Sequence, residues 1–89
     1  MESLIIIESS DELDATSGRH LLRAVDAASR CTSASVAISL RNMKRIRWDA
    51  LCSFVQDVQK RREAGLDVRL IEALPRIERL FEAATLRAV

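Results

Sequence analysis

Ser35–Leu51, SVAISLRNMKRIRWDAL, is the stretch whose reading decides the fold. It opens as a short apolar strand, Val36-Ala37-Ile38-Ser39-Leu40. It crosses a basic loop carrying Arg41, Lys44, Arg45 and Arg47, and ends where Trp48-Asp49-Ala50-Leu51 start an amphipathic helix. A strand that leads into a helix places the loop between them at the carboxyl edge of a sheet, where open α/β folds put their functional groups.

Outward from this stretch the pattern repeats. Upstream, Leu4-Ile5-Ile6-Ile7 is a continuous apolar run, read as a strand buried on both faces. Ser9–Glu12 breaks it, Leu13 stands alone, and Asp14 is a good N-cap for a helix over Ala15–Ser29. Leu21, Leu22, Val25 and Ala28 form that helix's inner stripe, with Arg19, Arg23, Asp26 and Arg30 on its outer face. Gly18 in its first turn weakens it slightly.

Downstream, Asp49 is the expected N-cap of a helix over Ala50–Ala64, with Leu51, Phe54, Val55 and Val58 inward. Gly65 suits a left-handed C-cap. Leu66–Ile71 reads as the third strand. Pro75 suits the first position of a closing helix with Ile77, Leu80, Phe81 and Ala84 inward, and Thr85–Val89 is expected to fray or pack loosely. The order β-α-β-α-β-α predicts a small α/β fold of three to four mostly parallel strands with helices packed against them. Leu22, Val25, Ile38, Leu51, Val55, Val58, Leu70, Ile77 and Phe81 are the expected core.

Size and composition narrow the function. The 89 residues argue for one small domain with one modest core. At 48% hydrophobic, 30% charged and a net charge of +1, the chain is globular in character and carries no global field toward nucleic acid or membrane. No segment approaches the ~20 apolar residues that span a bilayer, and no signal peptide is read. Cys31 and Cys52 fit no zinc spacing and read as reduced structural thiols of a cytoplasmic protein. His20, the only histidine, has no acidic partner fixed by the sequence, and neither Gly18 nor Gly65 sits in a phosphate-cradling motif. No catalytic residue, cofactor site or metal site is expected.

The basic loop supports several readings. Arg41, Lys44, Arg45 and Arg47 with Trp48 suit an acidic protein surface anchored by Trp48 and Arg47. The same residues suit a phosphate backbone with a base stacked on Trp48, the less favoured reading. They also suit plain solvation, with Trp48 covering the core.

Three stretches resemble the STAS domain, the sulfate transporter and anti-sigma factor antagonist family. Asp11-Glu12-Leu13-Asp14-Ala15-Thr16 is similar to the family's G-E-L-D-A-A/T segment, with Asp11 where Gly is usual. Val36–Leu40 followed by Met43 and Ile46 is similar to its V-x-x-D-L-s-x-v-x-x-I segment. Glu63–Leu70 is similar to its x-x-G-x-x-L-x-L passage, and the order covers almost the whole chain. The resemblance implies a non-enzymatic interaction module of bacterial signalling that docks through this loop and the second helix. Implied partners are a kinase-like anti-sigma factor, a receptor or a subunit of a transport or chemotaxis complex.

In antagonist members the second helix opens with D-S-S-G-L, and its second Ser is phosphorylated. Here the matching residues are Arg47-Trp48-Asp49-Ala50-Leu51, so Asp49 is the phosphoacceptor equivalent and no phosphorylation switch is expected there. Asp49 is either a constitutive negative charge or, the favoured reading, only a helix cap. Ser53, one turn on, is expected to point to another stretch of the helix. A strand that often precedes the segment matching Leu4–Ile7 has no counterpart here. That leaves an open sheet edge and an expectation of homodimers.

Overall fold

A computed structural model describes residues 4–31 and 35–88. The elements are β1 (Leu4–Glu8), β2 (Glu12–Leu13), α1 (Ala15–Cys31), β3 (Ser35–Ser39), β4 (Arg45–Ile46), α2 (Trp48–Glu63), β5 (Val68–Ile71) and α3 (Pro75–Ala88). The fold is α/β, as the sequence predicts. β1, β3 and β5 form a parallel sheet in that order, with β3 central. No described helix is long and apolar enough to cross a membrane.

β2 and β4 are not in the sequence reading. They pair in parallel as a separate ribbon, Glu12 beside Arg45 and Leu13 beside Ile46. Leu13, expected to be a lone apolar residue in a turn, is fully buried. Part of the basic loop is therefore strand. Within it Met43 is fully buried, and its N–H donates to the Leu40 carbonyl at 3.1 Å. The loop thus plugs the core with an apolar side chain while its cations stay outside.

The parallel register assigns the side chains to faces. Val36, Ile38 and Val68 lie on one face and are buried beneath the helices. Right-handed crossovers between strands taken in sequential order carry every connecting helix to that face. α3 joins the same layer, its Phe81 ring meeting Phe54 of α2 edge-on at 6.3 Å. The opposite face carries Leu4, Ile6 and Glu8 of β1, Ala37 and Ser39 of β3, and Arg69 and Ile71 of β5. Leu4 is 51% exposed and Ile6 56%. The expectation that Leu4–Ile7 is buried on both faces is therefore corrected. An apolar run reads the same whether a strand is central or, as here, at the edge of a sheet covered on one side.

The expected core is buried except Leu70, which is half-buried because β5 is the other edge strand. Asp26 is not simply on an outer face. Its carboxylate accepts two bonds from Arg61 of α2, 2.8 Å from Nε and 2.9 Å from Nη2. α3 continues to Ala88, and the Thr85 hydroxyl donates back to the Phe81 carbonyl at 2.8 Å. Cys52 is a free, half-buried thiol. Cys31 ends α1, and its side chain lies outside the described part.

The two glycines behave oppositely. Gly65 has φ +98 and closes α2 in a Schellman motif. Its N–H donates to the Arg62 carbonyl and that of Leu66 to the Arg61 carbonyl, both at 3.0 Å. Gly65→Ala is expected to cost about 1 kcal/mol, because only glycine adopts this backbone freely. Gly18 lies inside α1, and a Cβ there meets Leu13 at 3.6 Å and Phe54 at 3.7 Å, ordinary contact distances. Gly18→Ala is therefore expected to stabilise by about 0.5–1 kcal/mol. Urea unfolding of the two variants checks both signs.

Candidate interaction surface at the helix starts

The ribbon β2–β4 decides where this surface lies. α1 begins two residues after β2 ends, and α2 begins two residues after β4 ends. Pairing the two short strands therefore sets the starts of the two helices side by side. Between them runs an open groove of about 620 Å³. Gly18, Leu22 and Phe54 form its floor, while Asp14, Thr16, Arg19, Arg47, Asp49, Ser53 and Asp57 form its rim.

The α1 side follows the sequence reading. Asp14 caps the helix, its Oδ1 accepting the Ser17 N–H at 2.8 Å, while the Ser17 hydroxyl accepts the Asp14 N–H at 2.9 Å. This is a reciprocal capping box with serine in the third helical position. The Ser17 N–H, above all, holds the Asp14 carboxyl below its usual range. At the far end of the helices, hydrogen bonds from Arg61 do the same to Asp26.

The α2 side requires a correction. Asp49 is not the N-cap. The Arg47 N–H donates to the Leu13 carbonyl at 3.0 Å, which continues the ribbon and keeps Arg47 extended at φ −86, ψ 126. The first helical bond then runs from the Leu51 N–H to the Arg47 carbonyl, at 2.9 Å. Arg47 occupies the cap position with a side chain that cannot accept, and no side chain caps α2. Asp49 sits in the first turn, its side chain 85% exposed and 3.9 Å from Arg47 Nε. Its negative charge favours the helix dipole there.

The other residues of the basic loop do not converge on one face. Arg41 is paired with the Glu8 carboxylate at the end of β1. Arg45 reaches Asp11 at 3.3 Å. Lys44 makes no ion pair among the described residues, and its carbonyl accepts from Arg76 of α3 at 2.6 Å. Only Arg47, Trp48 and Asp49 gather, at the start of α2. Trp48 is 39% exposed, so part of its ring faces solvent beside the groove. Ser53 shares the groove rim with Asp49, contrary to the expectation that it points elsewhere. Positions four apart share a helix face.

Sequence reasoning did not place Thr16, Arg19 or Asp57 in this site. No local signal marks them, because they meet only through the ribbon. Among the described residues no cluster of His, Cys, Asp and Glu is placed to hold a metal ion. Comparison with family models, curated proteins and solved structures yields no match for this chain.

Two outcomes follow from the geometry. Arg47→Ser introduces an acceptor at an uncapped position and is expected to stabilise α2 by about 0.5–1 kcal/mol, read as a rise in Tm. For Asp14 and Asp26, whose folded pKa values are depressed, the stabilisation is complete above the ordinary carboxylate pKa of about 4 and is lost as pH falls through the folded values. Acid unfolding followed by circular dichroism is therefore expected to be shallower in Asp26→Asn. An unchanged acid slope would show that the Asp26–Arg61 bonds do not contribute.

Proposed function

We propose that this chain is a protein-interaction module of bacterial signalling, STAS-like and cytoplasmic, that works by docking rather than by chemistry. Its docking surface is the start of α2 with the groove beside it. The observation that carries this reading is the exposure of Trp48 between Arg47 and Asp49, on a helix start held by the ribbon. An aromatic flanked by an arginine on a rigid, partly apolar surface is the composition of a binding anchor.

The charges favour a protein over a nucleic acid. Arg41, Arg45 and Arg47 each lie beside a carboxylate, and the groove rim carries Asp14, Asp49 and Asp57. A phosphate backbone calls for a continuous cationic track. A protein partner carrying both signs of charge around an apolar side chain fits this mixed rim. With Asp49 in place of a phosphorylatable serine, the negative charge at the first turn is permanent, and binding is unswitched at that position.

Trp48→Ala and Arg47→Glu are expected to keep the fold, Arg47→Glu because exposed substitutions typically change stability by about 0.5 kcal/mol or less and Trp48→Ala at a cost of about 1 kcal/mol for the covered part of its ring. Both are expected to lose a partner that the wild type captures from host lysate. Equal capture by both variants would contradict the reading. So would oligonucleotide binding that falls steeply with salt, which marks phosphate contacts.

A further inference from the structure

β1 is an edge strand whose outer side is set by the register. The Ser9 N–H donates to the Ser39 carbonyl at 3.1 Å, so position 9 turns its backbone toward β3. In a parallel ladder alternate residues bond to the same neighbour, which turns Ile5 and Ile7 toward β3 as well. Leu4, Ile6 and Glu8 therefore direct their N–H and C=O groups outward. The same three residues carry their side chains on the face that no helix covers, where Leu4 and Ile6 are largely exposed.

Natural proteins guard such edges with lysine, proline, a bulge or a covering segment. Leu4–Glu8 reads LIIIE, and its pairing with β3 runs without a bulge. Its one charge, Glu8, is neutralised by Arg41. Parallel sheets are ordinarily covered on both faces.

We propose that β1 pairs antiparallel with β1 of a second copy of this chain, about a two-fold axis at Ile6, so that two three-stranded sheets become one. The strand is self-complementary in this register. Ile6 stands opposite Ile6 of the other copy, and Leu4 opposite Glu8. Each of these pairs has its outward groups aligned to exchange two N–H···O bonds. No like charges oppose each other, and the β-branched pair at the axis is a favourable cross-strand contact. The contact is isologous and closes after two copies. It uses none of Arg47, Trp48 or Asp49, so a dimer displays two helix-start surfaces.

Sedimentation of the full chain from low to high micromolar concentration tests this. The wild type is expected to pass from monomer to dimer. Ile6→Lys places two like charges at the axis and is expected to weaken dimerisation by about tenfold or more. Ile6→Pro removes an outward N–H while sparing the bonds to β3, and is expected to do the same. Circular dichroism confirms that both variants are folded. A wild type that stays monomeric, or an Ile6→Lys variant that dimerises equally well, overturns the proposal. A dimer lost in Ile71→Lys but kept in Ile6→Lys also overturns it, because the copies would then stack through the open face.

Discussion

The central strand β3 constrains everything else in this molecule. Its neighbours β1 and β5 are parallel to it and follow in sequential order. Parallel strands in sequential order favour right-handed crossovers that carry their helices to one face, and among the described residues the far side, with Leu4 and Ile6 largely exposed, has no helix over it. On that far side Ala37 is small and lies between Ile6 and Arg69, and the Ser39 hydroxyl donates to the Glu72 carboxylate at 2.7 Å. The near side holds the whole core, with Leu51, Phe54, Val55 and Val58 of α2 at its centre. A single-sided sheet leaves two kinds of surface, a helical layer with grooves and a bare face with an open edge.

Two ties fix the helical layer. At one end the β2–β4 ribbon sets the starts of α1 and α2 together, and toward the other the Asp26–Arg61 pair joins the C-terminal half of α1 to the last turn of α2. The pair is partly exposed and bidentate, worth about 0.5–1 kcal/mol, so its main effect is to fix the helices' register. Between the ties lies the groove. Its rim is mixed in sign, with Arg19 and Arg47 set among Asp14, Asp49 and Asp57. That balance leaves the rim without a continuous cationic track.

Much of this was legible in the chain itself. Seventeen-residue α1 and sixteen-residue α2 carry apolar stripes long enough to read, and Asp14, Gly65 and Pro75 mark the start of α1, the end of α2 and the start of α3 by known backbone chemistry. The two-residue strands β2 and β4 have no period to detect, so the ribbon and the groove it creates could not be read. The same omission misplaced the cap of α2. Asp49 has the better capping side chain, but the bond from Arg47 to Leu13 decides where the chain stops being extended. Leu4-Ile5-Ile6-Ile7 misled for a different reason, since β-branched residues suit a buried strand and an open edge equally.

Amide hydrogen exchange resolved along β1 tests the one-sided, open-edged sheet most directly. In dilute solution the Ile5, Ile7 and Ser9 amides, bonded to β3, are predicted to exchange slowly, while those of Ile6 and Glu8 exchange fast. As concentration rises, Ile6 and Glu8 are predicted to slow. Uniform protection of all five amides in dilute protein would mean that the edge is covered within the chain, and would contradict this account.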